Sequence, residues 1–287
     1  MKRTAIVIAV LGMCAWSFAQ DKPAAQNPPA GQTAGQAAAA PQGKRPPQAK
    51  TQPEFEAYKA AMAQTDAAAT EKAADEFAAK FPDSELRVQI YKAAMQRYQQ
   101  VNNGEKMMDM AQKALTFDPD EPEALLGVAQ VLAERTRDTD LDKDQRLAEA
   151  KKDAERSLVT VDTDVPTTGY PPEQLNAYKG FLRSQAYAIL GTLAFNAKNW
   201  VEAEGDLRKS IDAFPQQLDA VAVFRLAVSL DMQNKLPEAM KYADQAVDLT
   251  KDRPDTGVGK AARAEKDRLT KLSGGTAPGQ NPTTPKN

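Results

Sequence analysis

Residues 184–217 read SQAYAILGTLAFNAKNWVEAEGDLRKSIDAFPQQ. The first half places Tyr187, Leu190, Gly191 and Ala194 at helical spacing. The second half does the same with Ala203, Leu207 and Ser210, and Pro215 closes the unit. Residues three and four apart share one face of an α-helix, so the stretch reads as a pair of helices. Gly191 and Ala203 suit the points where the two helices of a pair come closest, because a larger side chain there would push the backbones apart. Tyr187, Leu190 and Leu207 then supply the volume that fills the space toward a neighbouring pair.

The same spacing recurs on both sides. Downstream, Val223-x2-Leu226-Ala227-x2-Leu230 precedes Ala239-x3-Ala243-x2-Ala246, with its proline, Pro254, three residues late. Upstream, Tyr91-x2-Ala94-Met95-x2-Tyr98 precedes Met107-x3-Ala111-x2-Ala114 and closes with Asp118-Pro119. A poorer pair at 53–83 ends in Phe81-Pro82 as the quoted unit ends in Phe214-Pro215, and a pair at 122–161 fits only with a lengthened inter-helix loop.

Three units in register resemble the tetratricopeptide repeat, with Tyr187 where that family usually has Trp and Ala194 where it usually has Tyr. The resemblance covers 53–272 and departs at 136–145 and 160–172, where insertions break the period. It implies an all-α fold, an α-solenoid of about five antiparallel helix pairs with a capping helix at the C-terminal end. A regular array would bend or split into two sub-arrays at the insertions. The resemblance also implies that the first helix of each pair lines a concave face where partners bind. Lys92, Gln96, Gln99, Gln185, Thr192, Phe195, Phe224 and Met232 would then point outward on that face, with packing of Phe195 and Phe224 against the neighbouring unit as the competing, slightly favoured reading of those two. The Lys, Asn and Arg clamp that some members use on C-terminal carboxylates is not present as a set.

The helical pattern runs over 53–65, 67–80, 84–101, 104–117, 121–136, 143–161, 172–197, 200–214, 218–233, 237–250 and 256–272. Asp120 with Glu123, and Asn199 with Glu202, have the spacing of a capping box. Pro122, Pro172 and Pro237 suit first turns, where a missing N–H does no harm. Before the repeats, residues 1–19 read as an export signal: Lys2 and Arg3, an apolar run from Ala5, and Ser17-Phe18-Ala19 as a small-x-small cleavage site. A lipid anchor at Cys14 is disfavoured by the bulky Met13 before it. The reading is therefore of a periplasmic or secreted protein, with a bacterial envelope inferred from the short signal. Residues 20–52 are rich in Pro, Ala, Gln and Gly, with almost no large apolar side chain, and are expected to be a disordered or extended linker; 273–287 form a similar tail.

Chemistry has little to work with. The chain has no histidine, which removes the commonest general base and metal ligand. No Gly-rich phosphate loop lies between a strand and a helix, and no cofactor is expected. One string, Asp138-x-Asp140-x-Asp142-x-Asp144 with Glu149, resembles the spacing of a calcium loop. Lys143 sits where its turn wants Gly and Gln145 where an apolar residue anchors it, so the competing reading is a solvated acidic loop. The net charge is −2, and loss of Lys2 and Arg3 with the signal would make it −4, a balance that argues against nucleic acid as a partner. The expectation is a non-catalytic protein-interaction scaffold or adaptor of the cell envelope that does not span the membrane. The alternative is a structural envelope component associated with the wall or an outer-membrane assembly machine.

Overall fold

The computed structural model describes residues 44–167 and 169–274. The expected signal with Cys14, the linker up to residue 43 and the tail from 275 lie outside the described residues. The described chain is all-helical, with eleven helices and no strand. In order these are α1 (Gln52–Met62), α2 (Ala67–Lys80), α3 (Arg87–Gln100), α4 (Gly104–Phe117), α5 (Pro122–Arg135), α6 (Lys143–Thr163), α7 (Pro172–Asn196), α8 (Trp200–Ala213), α9 (Ala220–Asp231), α10 (Leu236–Leu249) and α11 (Gly257–Leu272). None of them is long and apolar enough to cross a membrane.

Each helix packs on the next one in the chain, and each odd-numbered helix also touches the next odd-numbered helix, from α1·α3 through α9·α11. The odd helices therefore form a continuous row, each flanked by its even-numbered chain neighbours. Three of the hairpins turn in the same way. Asn102, Lys198 and Asn234 adopt φ of 59°, 60° and 61°. In each turn the following N–H donates back to a carbonyl five residues earlier: Asn103 to Tyr98, Asn199 to Ala194 and Lys235 to Leu230. This is the Schellman way of ending a helix. Tyr98, Ala194 and Leu230 are also the positions that the repeat pattern aligns, so the turn recurs at one register in α3/α4, α7/α8 and α9/α10.

The close approach expected at Gly191 is present: a Cβ there would lie 2.7 Å from Leu207 Cγ and 3.2 Å from its backbone nitrogen. Leu207 thus packs inside its own pair as well as against Leu226 and Leu230 of the next, rather than only toward the neighbour. Tyr91, Tyr98, Ala114, Ala203, Leu226, Ala227, Ala239 and Ala246 are buried as the pattern requires. Tyr187 and Leu190 are only partly so, while Pro119 and Pro215 are exposed just past the ends of α4 and α8. The buried apolar residues fall into a large cluster running from Ala61 to Ile189, a second beginning at Ala194 and a small third of Val223, Ala246 and Ala262, so the large core ends within α7.

Two expected caps differ. The α5 cap is Glu121, whose carboxylate accepts from Ala124 N–H at 2.6 Å, and not Asp120, which is drawn to Arg156. At α8 the Asn199 amide donates to Glu202 at 2.6 Å, so its side chain caps no backbone N–H.

Candidate functional site

A groove of about 440 Å³ lies between α1, the first turns of α3 and α7, and the connection that leads from α4 to the Glu121 cap of α5. Its apolar wall comes from Phe55, Tyr58 and Met62 of α1, Val88 of α3, and Leu175 of α7. Phe117, at the end of α4, contributes a ring that carries the Arg87 guanidinium 4.0 Å above it and stacks on Tyr91 at 5.8 Å. These groups reach one site because the odd helices lie side by side and present successive first-helix positions to the same space.

The floor is charged. Lys92 Nζ lies 2.6 Å from Glu121 Oε1 and 3.0 Å from Glu123 Oε2. Glu123 also accepts from the Tyr178 hydroxyl at 2.8 Å and from the Gln96 amide. Burial opposes the Lys92 charge, but Glu121 and Glu123 outweigh it and hold the ammonium well above the usual lysine range. Burial also pushes the Glu123 carboxyl up; Lys92, Gln96 and Tyr178 overcome it and leave the group below the usual range. Glu121 ends on the other side, raised by burial with the Glu123 charge beside it. Of this cluster Lys92, Glu121 and Tyr178 line the groove and Glu123 does not, while the rim adds the carboxylates of Glu85, Asp118 and Asp164.

Residues 44–50, the end of the expected linker, lie across this groove without helix or strand. Lys44 N–H donates to Thr163 O at 3.1 Å, and its ammonium lies 2.5 Å from Asp118 and 3.5 Å from Asp164. The Arg45 guanidinium is 2.5 Å from Glu85, and Lys50 donates to Asp83 O at 2.7 Å. Glu54, buried in the first turn of α1, accepts Lys50 N–H at 2.7 Å and fixes the far end.

The residues expected to face a partner divide. Gln96, Gln99 and Met232 are exposed. Lys92 is not an outward contact but the cation of the buried cluster. Thr192 is buried, donating to Ala188 O and accepting from Arg225. Gln185 is partly buried. Phe195 is partly buried edge-on to Trp200 at 5.5 Å, and Phe224 packs on the Val223, Ala246 and Ala262 cluster. The acidic string does not converge: Lys143 pairs with Asp138 at 2.7 Å, and Asp140 accepts from Arg137 N–H. Asp142, Asp144 and Glu149 join no grouping with them, and no set of three or more acidic, Cys or His side chains among the described residues is placed to hold a metal ion.

Pattern reading missed Glu121, Glu123, Tyr178 and the 44–50 segment. The string Glu121-Pro122-Glu123 carried a partial signal, since two acids at a helix start favour its positive end. No protein-family model matches the chain, and no curated protein matches its sequence significantly.

Proposed function

We propose that this protein is a non-catalytic scaffold of the tetratricopeptide type, an α-solenoid of five helix pairs with α11 as its cap, exported to the cell envelope and gripping a protein or peptide in the α1/α3/α7 groove. The observation that carries the reading is that groove: an aromatic and acidic trough built by successive odd helices, already spanned by an extended segment. The identical turns at Asn102, Lys198 and Asn234 support the repeat assignment, because a repeated local geometry at one register is what stacked equivalent units need. The groove's size is in the range of ligand-holding clefts. Its ionisable groups are paired ones, and the Lys92 ammonium is held charged and is therefore unfit as a base.

The test is site-specific photocrosslinking in cells. A crosslinker at Gln89, which lines the groove on α3, should capture a reproducible protein. One at Glu76, exposed on α2, should not. Equal capture at both positions, or none at Gln89, would count against the reading.

A further inference from the structure

We infer that Arg225, backed by Thr192 and Phe195, takes a carboxylate side chain from an extended segment of a partner protein, at a second contact surface on the row of odd helices. This site shares no lining residue with the groove of the scaffold reading.

Arg225 lies near the middle of α9 and reaches across to the end of α7. Its Nη1–H donates to Thr192 Oγ1 at 2.7 Å, and its guanidinium carbon lies 5.9 Å from the centre of the Phe195 ring. Both supports are themselves held. Thr192 donates to Ala188 O at 2.7 Å, and Phe195 packs edge-on to Trp200. Burial works against the Arg225 charge and draws its pKa below the usual arginine range, while Asp219 and Glu134 act the other way through their charge alone. A guanidinium stays charged all the same, so the site holds a fixed cation that forms no ion pair among the described residues.

The other arginine whose charge burial opposes shows what a purely structural arrangement looks like. Arg97 spends its donors on Ala93 O, Met62 O and Gln64 O, and so closes the end of α1. Arg225 has no such set. A guanidinium carries five N–H groups, and Thr192 takes one, on Nη1. That leaves the edge formed by Nε–H and Nη2–H, whose two bonds run parallel and match the two oxygens of a carboxylate. Neither nitrogen is sealed off without a partner, and neither donates to a described protein group, so this edge is open to solvent.

The polar row beside Arg225 selects an extended chain as the occupant. Glu134 of α5, whose charge acts on Arg225, accepts from Gln130 at 3.1 Å, and Gln130 accepts from Gln99 of α3 at 3.3 Å. From α9 to α3 is three helix spacings, roughly 25–30 Å at ordinary interaxial distances. About eight residues of extended chain cover that span. Side-chain amides offer a donor and an acceptor each, which suits a passing main chain, and within this row the cation is Arg225. The odd helices continue past α9 to α11, so a segment crossing here does not end at Arg225 and meets it with a side chain.

The test is NMR on the full chain, isotope-labelled at arginine Nε, with the Arg225 signal assigned by its loss in Arg225→Lys. Two octapeptides, SGASEASG and SGASQASG, are blocked at both ends so that one side chain separates them. The Glu peptide should shift the Arg225 signal saturably and bind at least about tenfold more tightly than the Gln peptide. Arg225→Lys keeps a charge but loses the parallel pair, and should weaken the Glu peptide about tenfold, read from the peptide's own signals. Glu134 is exposed, so Glu134→Gln leaves the packing alone; it removes a like charge near the bound carboxylate and should tighten binding about twofold.

An unmoved Arg225 signal, or equal affinities for the two peptides, would overturn the site. Undiminished binding to Arg225→Lys would overturn the paired contact, and unchanged or weaker binding to Glu134→Gln would place the carboxylate elsewhere. Inorganic phosphate that moves the signal where the Glu peptide does not would make this a small-anion site and overturn the peptide occupant. The crosslink at Gln89 reports on the groove alone, so its failure removes the scaffold reading without touching this one.

Discussion

The two halves of the array bury different things. From α1 to the middle of α7 the core holds Tyr91, Tyr98, Ile90, Met95 and Met110, and the groove beside it carries the Lys92–Glu121–Glu123–Tyr178 cluster. From Ala194 onward the core thins to Leu207, Leu226, Leu230 and a series of alanines, and its ion pairs join one covered partner to one that reaches solvent, as in Glu204 with Arg208 and Asp231 with Arg268. The groove thus lies beside the half whose core carries the larger side chains.

The largest expected difference follows from that contrast. Lys92→Met removes the cation that faces Glu121 and Glu123 and should cost about 3–5 kcal/mol, since an unpaired buried charge is the expensive case. Arg208→Ala breaks pairs that are partly open to solvent and should cost clearly less than Lys92→Met. Urea titrations of both variants measure this, and similar losses would erase the distinction between a buried and a surface network.

Helix contact gives a smaller split. Gly191→Ala drives a methyl against Leu207 Cγ and backbone, and should cost about 1–3 kcal/mol. At Gly127 the added methyl first meets Met95 Sδ at 2.5 Å, near the end of a side chain that can swing away, so Gly127→Ala should cost less. A larger loss at Gly127 would mean that the α3/α5 contact, and not the α7/α8 one, sets the limiting approach.

The smallest effect is one of pH, with opposite signs in the two halves. On α6, burial and the neighbouring Glu149 charge push the Asp153 carboxyl up to about 6. Its folded pKa lies above the unfolded value of about 4, so its contribution is complete below that value and is lost as pH rises through 6. On α8, burial pushes Glu204 up, but Lys235, Gln233 and Arg208 overcome it, so its contribution is present above the unfolded value and lost as pH falls. Asp153→Asn should therefore raise Tm at pH 7.5 by about 2–4 °C, for roughly 1 kcal/mol after solvent screening, and change nothing near pH 4. Glu204→Gln should lower Tm at pH 7.5 and lose that effect in acid. Parallel pH profiles for the two variants would contradict the assignment.

Much of the helical frame could be read from residues alone, because period and punctuation are local. Gly191 and Ala203 marked the close contact of α7 and α8, and the prolines marked the first turns of α5, α7 and α10. Cap identity was one residue off at α5, since Asp120 and Glu121 can each reach back, and the choice depends on Lys92 and Arg156, which come from other helices. The three positive-φ turns went unread because Asn102, Lys198 and Asn234 stand where glycine would have advertised them.

The groove was half legible: Lys92 was expected on the partner face and lines the groove, though paired and mostly buried, whereas Thr192, expected on the same face, is buried. Period places a residue on a face but does not say whether another helix covers that face. The 44–50 segment was opaque for a different reason. Its composition rightly signals that it cannot bury much surface, but it is held by partners 40 and 74 residues away, which no local pattern records.

That segment also changes how the array should come apart. In a plain stack each unit is coupled only to its neighbours, so melting can spread inward from either end. Here residues 44–50 bond to the α2–α3, α4–α5 and α6–α7 connections together, stitching three pairs into one cooperative block. The pairs beyond have no such stitch among the described residues, so fraying is directed to the α11 end. Occupation of the groove by another chain would cut the stitch and hand the N-terminal pairs back to nearest-neighbour unfolding, making binding legible as a loss of cooperativity.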